Sequence, residues 1–223
     1  MVEGKQRLAR DVIAARVAAE IPNGAYVNLG IGIPTLVADF VLAEKRVVFH
    51  AENGVLGTGP FPEPGHEIPD LINAGGQPVT LVAGASFMDS AQSFAIVRGG
   101  HLDVAVLGGL QVSEKGDLAN WRRPDRRAGS IGGAADIAAG AKRLFVAMEH
   151  TTREGQPKIV RQCTYPLTGA GVVHMIFTDL AVIRVEAEGL VLLETAPGWL
   201  AEDVQQLTDA RLRISPQLRE IAL

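Results

Sequence analysis

The stretch VVFHAENGVLGTGP, residues 47–60, ends an apolar run on a carboxylate, Glu52, then turns through Asn53-Gly54 into a string of glycines. A glutamate side chain, with a reference pKa near 4.3, is ionised at neutral pH and needs no neighbouring histidine to act as a nucleophile. Two other segments offer backbone groups. VNLGIGIP (27–34) makes a glycine turn at Gly30 and Gly32 before Pro34 opens a helix, and GSIGGAAD (129–136) places Gly132 and Gly133 where another helix begins. Free amides at a helix start attract anions or a developing oxyanion. A plain hairpin competes as the explanation of Glu52, because Asn-Gly between apolar runs favours one. Against it, VLGTGPFPEPG is too rich in Gly and Pro for a regular returning strand.

Other chemistries lack their residues. There is no G-x-x-x-x-G-K-[ST], GIGIPT carries Thr35 where a third glycine of G-x-G-x-x-G would stand, and no serine sits in G-x-S-x-G. The five histidines show no metal-ligand spacing, and Cys163 is the only cysteine, so neither a metal site nor an intrachain disulfide is expected. Cys163 reads as a small buried residue. With 21 Lys+Arg against 25 Asp+Glu the formal charge is -4. Such a surface has no electrostatic reason to seek nucleic acid or anionic lipid. The one basic cluster, Arg122, Arg123, Arg126 and Arg127, reads as a solvated loop, with an anionic ligand or a partner subunit as the alternative. No run of 18 apolar residues and no signal-like start is present, so the expectation is a cytoplasmic protein.

The positioning elements follow from periodicity. Leu8, Val12, Ile13 and Val17 predict an amphipathic helix over 5–20. AYVNLG and RVVFHAE read as strands, with a helix through TLVADFVLA between them and a Gly/Pro loop from Asn53 to about His66. PVTLVAGA (78–85) and LDVAVLGGLQV (102–112) are continuous apolar runs, the pattern of strands buried on both faces. MDSAQSFAIVRGG and GGAADIAAGA read as helices and KRLFVAMEH as a further buried strand. The alternation predicts an α/β fold, an open and mostly parallel sheet with flanking helices. Near the end, DLAVIRVEAEGLVLLET predicts a β-hairpin turning at EAEG, and PGWLAEDVQQLTDA a closing helix. The whole of 1–223 reads as a single domain.

At these same residues the chain resembles the B (β) subunit of the class I coenzyme A transferases, in the 3-oxoacid and 3-oxoadipate branch. IPNGAYVNLGIGIPT, ENGVLGTGPFP, DLINAGGQPVTLVAGAS, SFAIVRGGHLDVAVLGGLQVSEKGDLANW, IGGAAD, VAMEHTTREGQPKIV and CTYPLTG occur in the family's order, from about residue 10 to residue 208. The resemblance implies the coenzyme A transferase fold and Glu52 as the nucleophile. It implies that Gly132 and Gly133 line the acyl-CoA site and supply an amide to the oxyanion, and that Gly30, Gly32 and Asn53 lie at the active cleft. It implies CoA transfer from succinyl-CoA to 3-oxoadipate or acetoacetate by a ping-pong mechanism through a glutamyl-CoA thioester. Coenzyme A is then a co-substrate with no further cofactor. The partner is an A subunit in an A2B2 heterotetramer with active sites at the A/B junction.

Three departures, Ala51 where many relatives have Ser, Ala135 where Met is usual and Ala83 where Pro is frequent, bear on substrate preference more than on mechanism. Trp121 reads as a packing anchor rather than a base-stacking platform, and Glu149-His150 as structural rather than as a binder of substrate carboxylate. An acyl-CoA hydrolase using the same glutamate, and a non-catalytic ligand-binding α/β domain, stand as alternatives.

Overall fold

The computed structural model describes residues 5–124 and 129–222; Arg126 and Arg127 of the basic cluster lie outside the described residues. The first helix, α1 (Arg10–Glu20), is shorter than the predicted 5–20. It buries Ile13, Ala14, Val17 and Ala18, the one-face spacing of a helix docked on a sheet. Its last turn has no side-chain cap of its own. The Lys45 ammonium closes it from a distance, donating to the carbonyls of Ala18, Ala19 and Ile21 at 2.8–2.9 Å.

β1 (Tyr26–Leu29) follows, and then a short helix, α2 (Ile33–Leu36), with Pro34 in its first turn. The predicted continuous helix breaks there, residues 37–40 tightening into a 3-10 turn. Next come β2 (Val48–Ala51), β3 (Val55–Thr58), β4 (Leu81–Phe87), α3 (Ser90–Arg98) and β5 (Val104–Leu107). β6 (Gln111–Ser113), β7 (Leu118–Ala119), α4 (Ala134–Gly140), β8 (Leu144–Ala147) and β9 (Ile159–Val160) continue the chain. β10 (Val173–Phe177), β11 (Ala181–Glu186), β12 (Gly189–Thr195), α5 (Ala201–Gln206) and β13 (Leu212–Glu220) complete it.

Among the described residues ten strands form one open sheet in the order β13-β12-β11-β10-β8-β5-β1-β2-β3-β4, and β7-β6-β9 form a small second one. The centre, from β10 to β2, is parallel. Both flanks turn antiparallel, at β2-β3-β4 and at β10-β11-β12, before β13 adds a parallel edge. Along β5 and β8 every position is buried, and successive side chains enter opposite layers, as a sheet covered on both faces requires. Val104, Val106, Phe145 and Ala147 join the α1 side. Ala105, Leu107, Leu144 and Val146 face the opposite layer with Val97 of α3 and Ile137 of α4. Each such Val, Leu or Ile removed from water contributes ~1.5–3 kcal/mol, so the two half-cores hold the sheet's parallel centre in place.

Three expectations are corrected. β3 does return from Asn-Gly as an antiparallel strand, with His50 opposite Leu56 and Ala51 opposite Val55. Its glycine serves a close approach. At φ +89 an added Cβ on Gly57 would sit 3.1 Å from the Ala85 Cα of β4. The apolar run 78–85 is not a doubly buried strand but the sheet's exposed edge, with Phe87 67% and Val82 46% exposed. The chain does not close on its helix, because α5 stops at Gln206 and β13 follows, Pro216 being tolerated on an edge. The hairpin at EAEG is the β11–β12 turn.

Candidate active site

β1 lies between β2 and β5, so the chain leaves β1 toward one side of the sheet and returns later on the other. The strands' carboxyl ends diverge at that point, which opens a crevice in a parallel sheet. A cavity of about 1290 Å³ occupies it. Leu29, Gly30 and Ile31 line it from the end of β1, His50 to Glu52 from the end of β2, and Leu107 to Leu110 from the end of β5. Gly59, Pro60, Phe61 and residues 73–75 cover one side, and residues 130–134 the other. The cover is thus built from β3 onward and reaches past the predicted 53–66 loop, since 55–58 are strand.

Glu52 is the first residue of the three-residue turn between β2 and β3 and is half-buried in the cavity wall. Strand alternation puts its carboxylate on the same sheet face as His50, which pairs in register with Asn28 on β1. Asn28 Nδ2 donates to Glu52 Oε2 at 3.0 Å and to the His50 carbonyl at 3.1 Å. Asn28 is fully buried and His50 is 3% exposed. Burial pushes the His50 imidazole below its ordinary value against the upward pull of Glu52, so the ring is neutral at neutral pH.

Gly133 caps the start of α4 and faces the nucleophile candidate. A Cβ on it would lie 3.6 Å from Glu52 Cγ and 2.8 Å from the Phe94 ring, so only glycine lets this backbone come so close. Gly132, at φ +50, lines the cavity beside it. Among the described residues neither glycine amide donates a backbone hydrogen bond. The arrangement sets a carboxylate, held from behind by the buried Asn28 amide, and the Gly132–Gly133 backbone around one opening, which suits acyl transfer through a tetrahedral oxyanion.

The structure thus brings together Glu52, Gly132, Gly133 and Gly30. Thr35, standing where a third glycine was absent, ties the turn by donating to the Gly30 carbonyl at 2.9 Å. Gly32 and Asn53 are not among the residues lining the cavity. Asn53 spends its amide on the Ile72 carbonyl at 2.8 Å, pinning the cover loop. Trp121 lines the cavity while its indole N–H donates to Leu167 O at 3.2 Å. Glu149 pairs with Arg10, and His150 is buried between the Thr178 and Thr208 hydroxyls, 2.9 Å from each. Neither lines the cavity. Cys163 is half-buried and its thiol is pushed up to about 11, chiefly by burial.

Sequence reasoning missed Asn28, His50 and Ser93. The signal existed: Asn28 is a polar residue inside an apolar strand, and His50 precedes Glu52 by the two residues that keep both on one face.

Residues 10–207 match the model of the family described as Coenzyme A transferase. The chain is 52% identical over 208 residues to the B subunit of the 3-oxoadipate CoA-transferase of Pseudomonas putida, covering 93% of this chain and 97% of that one. It is 47% identical over 205 residues to the B subunit of the succinyl-CoA:3-ketoacid coenzyme A transferase of Helicobacter pylori, covering 92% and 99%. An acyl-CoA transferase of Escherichia coli, solved as a thioester complex with CoA, shares the fold with a TM-score of 0.78 at 22% identity. That likeness covers 100% of this chain and 44% of the other, so this chain spans less than half of that structure.

Proposed function

The chain belongs to the coenzyme A transferase family, as a class I B subunit that works with an A subunit, and from that premise we propose that it moves CoA from succinyl-CoA to a 3-oxoacid, 3-oxoadipate or acetoacetate, by a ping-pong route through a glutamyl-CoA thioester on Glu52. The observation that carries this reading is the placing of the Glu52 carboxylate in the wall of a 1290 Å³ cavity, against the Gly133 backbone. The names of the two relatives support the substrate class.

In the first step a Glu52 oxygen attacks the thioester carbonyl. A carbon–oxygen bond forms, the carbon–sulfur bond breaks, and CoA leaves as thiolate from an acyl-glutamyl anhydride. The thiolate then attacks the glutamyl carbonyl, forming the Glu52–CoA thioester and releasing the first acid as carboxylate. The second acid runs the two steps in reverse. A carboxylate is a weak nucleophile, so the tetrahedral oxyanion must be stabilised, and one such donor is worth on the order of 3 kcal/mol. The amides of Gly132 and Gly133 supply it. Gly30 shapes the crevice, and Gly32 and Asn53 hold the turn and the cover loop around it. CoA serves as co-substrate and no other cofactor is required.

The whole chain, 1–223, acts as one domain in the cytoplasm; among the described residues no helix is long and apolar enough to cross a membrane. The A subunit packs over β4 and the cover loop in an A2B2 heterotetramer. The exposed Leu81, Val82 and Phe87, with Phe61 beside the cavity mouth, support that placement.

Incubating the A/B complex with succinyl-CoA and measuring the intact mass of this chain tests the reading. A CoA adduct on the wild type and none on Glu52→Gln is expected. Transfer by the Gln variant at the original rate would remove Glu52 from the mechanism.

A further inference from the structure

Three acceptors crowd the Asn28 amide nitrogen: Glu52 Oε2 at 3.0 Å, the His50 carbonyl at 3.1 Å and His50 Nδ1 at 3.2 Å. The Asn28 Oδ1 is buried with no hydrogen-bond partner, and among the described residues it is the buried side-chain polar atom left in that state. Such an orphan is costly, so some group must hold the amide this way round. Turning it over would bring Oδ1 against the Glu52 carboxylate and the His50 carbonyl, two repulsive contacts.

His50 supplies the hold. Its Nε2 lies 2.9 Å from the Oγ of Ser93, which is fully buried on α3. With the ring proton on Nε2 and donated to Ser93, Nδ1 presents a lone pair to the Asn28 N–H. The other tautomer would set N–H against N–H and favour the overturned amide. The ring is neutral because burial disfavours its cation; Glu52 is the charged group that acts on it, while β1 offers Asn28 and α3 offers Ser93.

We propose that His50 and Ser93 are positioning residues that fix the donor face of the Asn28 amide on the Glu52 carboxylate. This rests on the reading of Glu52 as the nucleophile. One carboxylate oxygen, Oε2, is held by Asn28, and the other is left to attack. When the glutamyl carbonyl is itself attacked, the Asn28 N–H already faces an oxygen that can take up charge. The relay links α3 to the nucleophile through two buried side chains, so its effect falls on turnover and not on CoA binding.

Steady-state kinetics of the A/B complex with succinyl-CoA and acetoacetate test this. Ser93→Ala and His50→Leu are expected to lower kcat about ten-fold or more, with KM for succinyl-CoA within about two-fold of wild type. His50→Gln can accept from Asn28 and donate to Ser93, and is expected to recover at least about five-fold of the kcat lost in His50→Leu. A purely structural role would depress stability in all three without that recovery. If Ser93→Ala keeps kcat within about two-fold, or His50→Gln is as slow as His50→Leu, the relay is refuted. Should His50→Leu fail to fold, Ser93→Ala decides. Glu52→Gln is measured alongside. Activity in that variant overturns the nucleophile itself, whereas an inactive Glu52→Gln with an unaffected Ser93→Ala overturns the relay alone.

Discussion

The Gly133 backbone lies against Glu52, so close that a methyl group on its α-carbon would stop 3.6 Å from Glu52 Cγ and press into the Phe94 ring at 2.8 Å. Two elements far apart in sequence, the β2–β3 turn and the start of α4, therefore share one small volume. Gly133→Ala must displace either Phe94 or the 132–133 backbone. The loss is expected in turnover, with kcat down by ~10–100-fold, because a donor moved by a few tenths of an ångström no longer meets the oxyanion. Unfolding in urea should change little by comparison. Wild-type kcat in Gly133→Ala would mean that this backbone takes no part.

Lys45 closes α1 from outside the helix. Its ammonium accounts for three carbonyls at 2.8–2.9 Å in a last turn that carries no basic residue of its own. Lys45→Met keeps the apolar stem and removes the charge, leaving those carbonyls to water. A loss of about 1–3 kcal/mol is expected, read as a lower urea midpoint at unchanged m-value. No shift in midpoint would show that solvent caps α1 equally well.

How far the sequence carried the structure depends on where each residue's environment comes from. The parallel centre was legible because β5 and β8 bury every position, and continuous apolar runs announce that. The β11–β12 hairpin was legible from its turn. β4 has the same apolar texture and yet forms the exposed edge, because hydrophobicity reports what a strand would bury and not which neighbour buries it. β3 was hidden by Gly57, whose role in letting β4 approach is a tertiary fact. β13 was hidden by Pro216 and its polar, exposed pattern.

The site divides the same way. Glu52 announced itself as a carboxylate at a strand end followed by Asn-Gly, and the hairpin and the active-site reading proved compatible, since the turn is what lifts the carboxylate to the cavity. Ser93 is silent in isolation, and Asn28 shows only as a polar residue in an apolar strand, without saying what it faces. They matter only through register, Asn28 opposite His50 across β1 and β2, and through α3 lying over that face.

His150 predicts an acid-sensitive fold. It is fully buried between two threonine hydroxyls, and burial lowers its pKa to about 4. As pH falls below the ordinary histidine value near 6.5, the unfolded chain takes up the proton and the folded chain does not. Stability is therefore complete above ~6.5 and is lost between there and about 4, by on the order of 3 kcal/mol from this group. Urea unfolding followed across that window should show the slope, and His150→Gln should flatten it. His50 is lowered in the same direction but is present in both proteins, so it cancels in the comparison. Equal slopes in wild type and variant would place the acid sensitivity elsewhere.

The β4 edge makes a prediction about the chain without its partner. Seven residues long and, among the described residues, unpaired on its outer side, the strand shows Leu81, Val82 and Phe87 to solvent. An apolar open edge templates pairing with another chain, and a charge placed on it opposes that pairing. The isolated chain is expected to self-associate at micromolar concentration, seen by light scattering. Phe87→Lys with Leu81→Lys should leave it monodisperse. Because these positions stand off the sheet's core, the double variant should unfold at nearly the wild-type urea concentration. That separates a surface effect from a folding defect. With the A subunit co-expressed, the wild-type complex should scatter no more than a single assembled species, since the proposed interface covers this edge, and the lysine pair should weaken assembly. Wild-type chain that stays monomeric alone, together with a lysine variant that assembles normally, would show that the edge needs no cover and that the A subunit docks elsewhere.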